Sequence, residues 1–185
     1  TTQGVTRVEV AIANPLLCRE VEKNLEEWLK SPVSLLFFKK IRRLQIGDRV
    51  VHWQSLGPGP VAESEWMSLD DKGDDAFLLV RSAEEAFPAD ALDEIRKERM
   101  LGAEDGGDFP PCRVEIVLGA KGRLYVVLPT GVETPLPFAC NAPFIQDPAR
   151  LKIKDPETSP TNRWLLKRAG ELAATLDRAQ RAAHP

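Results

Sequence analysis

The most constraining feature of the sequence is a segment spanning residues 124–166, which is rich in Leu, Phe, Pro and Gly. Its pattern predicts a strand that passes into a loop punctuated by proline and glycine, followed by a helix. Connecting loops normally lie in water, so a loop dominated by apolar residues is unusual. We expect Phe138 and Phe144 to anchor it on the core, and an anchored loop can hold one polar side chain in a fixed place.

Arg150 is the polar side chain of this loop that we consider the strongest functional candidate. It lies where the loop leads into the helix, with Lys152 and Lys154 nearby. A planar, permanently charged guanidinium binds phosphate oxygens through two parallel hydrogen bonds. Supplied by a neighbouring domain, it can stabilise charge on a transferring phosphoryl group. The alternative that stays open is that Arg150 pairs with Asp147 or Asp155 and only closes the loop.

The composition is that of an ordinary globular protein, with 43% hydrophobic and 29% charged residues. Its 185 residues are enough for one large domain or for a domain with an appendage. The net charge of -3 does not favour nucleic-acid binding. No apolar run approaches the roughly 18 residues that a membrane span needs. The local basic cluster, interpreted as a solvated face, comprises Lys39, Lys40, Arg42 and Arg43.

The cysteines and histidines predict neither a zinc site nor a disulfide framework. The three cysteines lie far apart, no CxxC pair is present, and the sequence has two histidines. Reduced thiols are typical of the cytoplasm, and the N-terminus lacks the pattern of a signal peptide. We therefore expect a cytoplasmic protein without a metal site. Because the chain starts without Met and almost directly on a strand pattern, we also expect it to be one part of a longer protein.

The periodicity of apolar residues predicts an α+β fold, with a mixed or mostly antiparallel sheet and flanking helices. Predicted strands span residues 6–13, 41–46, 49–54, 63–69, 76–81, 113–118 and 123–128, and predicted helices span residues 15–30, 33–40, 89–101 and 162–183. Asn14 and Thr161 are the predicted caps of the first and last helices. Residues 56–61 are predicted to form a loop, and the last two strands a hairpin around residues 119–122.

The predicted organisation is one α+β domain over residues 1–160, followed by a C-terminal helix over residues 161–185 that leads to a further region. A sub-boundary is predicted at residues 102–111, where Gly, Pro and Asp are frequent. Several catalytic schemes lack their motif, since GxSxG, HExxH and GxGxxG do not occur. We therefore expect the chain by itself not to be an enzyme, and a stand-alone enzyme is the least favoured hypothesis.

Three segments resemble ATPases of the superfamily that contains gyrase, the ninety-kilodalton heat-shock chaperone, histidine kinases and MutL. GVTRVEVAI resembles the strand that follows their nucleotide-binding domain, and SLLFFKKIRRLQI resembles a segment shared by the chaperone and sacsin. LPFACNAPFIQDPAR resembles the middle-domain loop of the chaperone. It is still more similar to sacsin-like bacterial ATPases, in which this loop precedes a helix containing tryptophan, here Trp164. The resemblance covers residues 4–172.

The resemblance implies a transducer, or middle, domain with a β-α-β fold, whose parent protein is an ATPase. The family holds ATP and Mg²⁺ in an upstream domain, so this chain alone would bind neither. An arginine of the family's loop reaches the γ-phosphate, and the matching residue is Arg150, which is therefore the implied catalytic residue. Asn141, Gln146 and Lys154 are the further candidates for contact with the nucleotide. The acidic residue that follows the arginine in the chaperone is replaced by Leu151 here, which leaves chaperone activity in doubt.

The partner that the resemblance implies is the upstream ATP-binding domain of the same protein. A client protein and a homodimer formed through the longer protein remain open, whereas a membrane or nucleic acid is not expected. The alternative hypothesis is a protein-interaction module that makes no contact with nucleotide. Its candidate surfaces are Trp66 and the C-terminal helix.

Overall fold

The computed structural model describes residues 9–30, 32–69, 75–101, 109–149 and 151–183. These residues form an α+β fold, as predicted. The helices are α1 (Pro15–Lys30), a 3₁₀ helix (Pro32–Phe37), α2 (Ala89–Glu98) and α3 (Pro160–Ala183). The strands are β1 (Arg43–Ile46), β2 (Arg49–His52), β3 (Gln54–Pro58), β4 (Ser64–Ser68), β5 (Ala76–Arg81), β6 (Glu115–Leu118), β7 (Arg123–Val126), β8 (Leu128–Glu133) and β9 (Phe138–Asn141).

The larger sheet contains seven of these strands, in the order β3-β4-β5-β6-β9-β7-β8. Neighbouring strands are antiparallel except for β7 and β9, which are parallel. The chain passes from β5 to its neighbour β6 through α2, and from β7 to β9 through β8. Strands β1 and β2 form a separate two-stranded hairpin. The sheet is therefore mixed but mostly antiparallel, as the sequence predicts.

The sheet is covered on both faces. Because successive side chains of a strand point to opposite faces, Leu78 and Val80 of β5 pack with α3 on one side, while Leu79 packs with the 3₁₀ helix on the other. The 3₁₀ helix contributes five buried residues in a row, Val33 to Phe37. Burial on both faces explains why β5 is a continuous apolar run and not an alternating one.

The two predicted helix caps have different outcomes. Asn14 caps α1 as predicted, since its side-chain oxygen accepts a hydrogen bond from the amide of Leu16 at 2.9 Å. Thr161 is not the cap of α3. Ser159 takes that place, accepting from the amide of Asn162 at 3.2 Å, and Pro160 occupies the first helical position.

The hairpin predicted around residues 119–122 is wrong, because β9 lies between β6 and β7. Cys140 of β9 is paired with Ile116 on one side and with Leu124 on the other. The predicted loop after β7 thus contains two strands, β8 and β9. Phe138 is nevertheless buried, as is Phe144, which confirms that both residues anchor this segment.

Two other predictions fail at the start of the chain and before β4. In the described part of the strand predicted at residues 6–13, residues 9–13 form no strand, and residues 6–8 lie outside the described ranges. Residues 54–58 form β3, although residues 56–61 were expected to be a loop. The strand contains a register shift between Ser55 and Gly57, and Gly57 has φ 129°. This irregularity interrupts the alternation by which a strand is recognised in a sequence. Most of the sub-boundary predicted at residues 102–111 lies outside the described ranges.

Replacing Leu165 by alanine should lower the free energy of unfolding by about 2–5 kcal/mol, because a fully buried side chain is removed from the contact between α3 and the sheet. Denaturation in urea would measure the change. The control is Lys167→Ala on the exposed side of α3, for which we expect a change within about 0.5 kcal/mol. Equal effects of the two substitutions would contradict this placement of α3.

Candidate functional site

The loop that carries the predicted site is closed by its own backbone. The amide of Asp147 donates to the carbonyl of Lys152 at 2.9 Å, and the amide of Lys154 donates to the carbonyl of Ile145 at 2.8 Å. The Asp147 carboxylate accepts from the amides of Leu151 and Lys152 at 2.9 and 3.2 Å. Residues 145–149 and 151–154 therefore belong to a hairpin-like loop, which we call the anchored loop.

Asn162, in the first turn of α3, holds the base of the anchored loop. Its side chain is fully buried. The side-chain oxygen accepts from the amide of Ile145 at 2.8 Å, and the side-chain nitrogen donates to the carbonyls of Ile145 and Lys154 at 2.9 Å each. One amide side chain thus binds both ends of the loop and fixes the loop to α3.

Helix α2 is tied to the same point. One oxygen of Glu94 accepts from the Ser159 hydroxyl at 2.9 Å and from the amide of Thr161 at 3.0 Å. A carboxylate at the N-terminus of a helix is favoured there by the helix dipole. Lys154 adds an exposed ion pair with Glu98 of α2. The loop, α2 and the start of α3 therefore form one connected unit.

The sheet edge supports the other side of the anchored loop. The amide of Gly131 in β8 donates to the carbonyl of Leu151 at 2.6 Å. A β-carbon at residue 131 would lie 2.9 Å from that carbonyl oxygen. Only glycine allows the backbones to approach this closely, so Gly131 belongs to the support of the loop.

The structure describes three of the four predicted site residues, and these three lie in two different places. Arg150 lies outside the described residues. Gln146 and Lys154 are both on the anchored loop, with Gln146 bridged to Ile153. Asn141 lies at the end of β9, on the sheet face that the 3₁₀ helix covers. The described residues thus bring Gln146 and Lys154 onto one loop, whereas Asn141 belongs to a different cluster.

Asn141 lies at one end of a row of polar side chains that crosses four strands, β9, β6, β5 and β4. Its nitrogen donates to Glu115 at 2.8 Å, and its oxygen accepts from the amide of Val127 at 2.8 Å. Glu115 and Glu65 are both ion-paired with Arg81, at 3.5 and 3.6 Å. Both groups of the amide are occupied, so Asn141 acts here as a structural support of the connection between β7 and β8.

A cleft of about 460 Å³ lies beside this row. Phe37, Val126 and Pro143 contribute apolar walls, and Lys39 stands with them at the cleft. Val127, also on the wall, has φ 63°, which is a strained conformation for a β-branched residue. Strained residues of this kind concentrate at functional sites. The cleft is therefore a second candidate site, which the sequence did not indicate.

Arg168 is a buried charged residue that the sequence analysis did not single out. It is 6% exposed, and its guanidinium donates to the Ser82 hydroxyl at 2.9 Å and to the Ala83 carbonyl at 2.7 Å. It also pairs with Glu85 at 3.1 Å. The guanidinium is fully used in joining α3 to the segment after β5, so its role is structural. Its position on the apolar face of α3, three residues after Leu165, was the signal that could have revealed it.

Two of the cysteines, Cys140 and Cys112, are unsuited to nucleophilic chemistry. Burial, together with the nearby carboxylate of Glu115, raises the pKa of the Cys140 thiol to about 12. Burial also raises the pKa of the Cys112 thiol, although Arg168 opposes that shift. At neutral pH both thiols are protonated and weakly reactive.

Within the described ranges, no three or more His, Cys, Asp or Glu side chains are grouped so that they could hold a metal ion. Among the helices of the same ranges, none combines the length and apolarity that a membrane span requires. In comparisons with protein-family models, curated proteins and solved structures, nothing matches the chain.

Replacing Asn162 by alanine should destabilise the protein by about 2 kcal/mol or more, because it leaves the amide of Ile145 and two carbonyl groups without their partner. Urea denaturation would measure the loss. Asn24→Ala on the exposed surface of α1 is the matched control and should change stability by less than about 0.5 kcal/mol. A variant N162A as stable as the control would contradict the anchoring role.

Proposed function

We propose that the chain is the transducer, or middle, domain of an ATPase similar to sacsin and to the ninety-kilodalton heat-shock chaperone. In this proposal it relays ATP binding and hydrolysis in an upstream nucleotide-binding domain, and Arg150 reaches the γ-phosphate. The observation that supports it most is the anchored loop. Asp147 and Leu151, on either side of Arg150 in the sequence, belong to a hydrogen-bonded loop that Asn162 ties to α3.

Anchoring matters because a catalytic arginine must be held in place before the reaction. Fixing the backbone of one residue costs about 1–2 kcal/mol in conformational entropy. In the anchored loop, much of this entropy is lost when the protein folds and not when the nucleotide binds. A guanidinium carried by such a loop would approach the phosphate with little further loss of entropy. ATP and Mg²⁺ would be held by the upstream domain, and the chain by itself would not hydrolyse ATP.

The relay itself follows from differential contacts. In the proposed closed state, the guanidinium contacts the γ-phosphate, whereas in the open state, or with ADP, that contact is absent. Nucleotide therefore favours one of two domain arrangements by the free energy of this contact. The unit of loop, α2 and α3 would move as one body, since Glu94 and Asn162 join its parts.

A protein-interaction module without nucleotide contact remains the second candidate. It is favoured by exposed apolar residues that do not belong to the anchored loop, notably Leu17 and Val21 on α1, and Trp66 on β4. Reading the genomic sequence upstream of the codon for Thr1 would separate the two candidates. The ATP-binding domain of the superfamily has a helix with an asparagine that holds the metal ion, and a glycine-rich lid. Finding both would favour the transducer, and an unrelated domain would favour the interaction module.

In the full-length protein, we expect Arg150→Ala to lower the ATP turnover number by about 100- to 1000-fold. The loss of one preorganised hydrogen-bond donor that stabilises charge in the transition state has an effect of this size in other enzymes. The KM for ATP should change much less, because other residues of the upstream domain bind the nucleotide. Steady-state ATP hydrolysis would measure both.

The matched control is Lys152→Ala, which removes an exposed positive charge from the same loop and should leave turnover within about twofold, as expected of a surface charge. Arg150→Lys should recover only part of the activity, because an ammonium cannot form two parallel hydrogen bonds. Unchanged turnover in R150A would remove Arg150 from the proposed role. ATP hydrolysis by the 185-residue chain alone would contradict the division between the two domains.

A further inference from the structure

The N-terminal arm, which we define as residues 9–30, presents an amphipathic helix whose apolar face is largely uncovered. Leu17 and Val21 lie on one face of α1 and are 52% and 42% exposed. The helix is held to its own chain at its C-terminal end, where Trp28 donates to the Ser34 hydroxyl and Leu29 is buried. Amphipathic helices are stabilised mainly by burying their apolar face, so this face is suited to a partner.

The residues before α1 have the same character. In residues 9–13 the large apolar residues Val10 and Ile12 alternate with smaller or charged ones, in the pattern of a strand, yet these residues form no strand in the structure. Val10 is 78% exposed, and Ile12 is exposed as well. A segment with the sequence of a strand can cover these side chains by adding to the edge of another sheet.

The charges of the arm indicate which kind of surface it can bind. The arm, residues 9–30, contains five acidic and three basic residues. Residues 39–50 contain five basic residues and one acidic residue, and they include the hairpin of β1 and β2. We call residues 39–52 the basic hairpin. The arm and the basic hairpin are therefore complementary in charge.

The basic hairpin is itself incomplete. An isolated two-stranded sheet is marginally stable in water, and a third strand would strengthen it. Val50 of β2 and Ile41 before β1 are exposed apolar residues. A cleft of about 530 Å³, lined by Arg49 and Val51 of β2 together with Leu29, lies next to the hairpin. The hairpin thus combines an edge strand, uncovered apolar side chains and positive charge.

We propose that the arm of one copy of this chain docks on the basic hairpin of a second copy. Residues 9–13 would add to β2 as a third strand, while Leu17 and Val21 would cover the apolar side chains beside it. The exchange would be reciprocal, giving a two-fold symmetric dimer in which the same surfaces occur twice. This dimer does not depend on the proposed role of Arg150.

Sedimentation velocity of the 185-residue chain at increasing concentration tests the proposal. We expect a dimer whose dissociation constant rises with salt, because exposed charges are screened. Charge reversal of the arm, with Glu20→Lys and Glu22→Lys, should weaken dimerisation by roughly tenfold or more, and so should reversal of the hairpin, with Arg43→Glu and Arg49→Glu. The control is Glu171→Lys on the exposed surface of α3, which should not change dimerisation.

The decisive step is to mix the two reversed proteins. In the mixed pair each arm again meets a hairpin of opposite charge, so a heterodimer should form although neither protein dimerises well alone. A wild-type chain that remains monomeric would overturn the proposal. It would also be overturned if the mixture stayed monomeric while the circular dichroism of both variants matched that of the wild type.

Discussion

The buried side chain of Asn162 is the interaction on which the rest of this structure depends. The anchored loop begins at Ile145 and ends at Lys154, and both of these ends are hydrogen-bonded to this one amide. A buried amide is favourable only when its donors and acceptors are satisfied, and here the loop backbone supplies the partners. The same contacts that satisfy Asn162 therefore determine where the loop lies.

Further hydrogen bonds connect the loop and the start of α3 to two other parts of the structure. Through Glu94, the start of α3 is joined to α2, and through Leu151 the loop is joined to Gly131 in β8. Helix α3 packs on the sheet and α2 packs on α3, so the loop is fixed to the core and not only to neighbouring residues. This is the property that a transducer domain needs at the surface where it would meet a nucleotide, and it is why the proposed function centres on residue 150.

Much of the fold could be predicted from the sequence, where the signal was local. The cap at Asn14, the bounds of β5 and the anchoring by Phe138 each follow from residue type and spacing. Strand β9 could not be predicted, because four buried residues among prolines show no alternation that separates a strand from an apolar loop. Strand β9 lies between β6 and β7, which requires pairing between residues far apart in the chain. For this reason β6 and β7 do not form the predicted hairpin.

The candidate site was predicted only in part, for the same reason. An apolar loop with one prominent arginine is visible in the sequence, but the partner of the loop is a single asparagine on α3. The pairing of Asn141 with Glu115, and the burial of Arg168, likewise join residues that are far apart in the chain. Such contacts depend on the tertiary arrangement, and a single sequence carries no direct record of them.

The most direct test of this account is the rigidity of the anchored loop, measured by nitrogen-15 relaxation of its backbone amides. We predict order parameters close to those of α3, about 0.85, for Ile145, Leu151 and Lys154. Values below about 0.6 for these amides, with α3 still rigid, would contradict the claim that the core holds the loop in place.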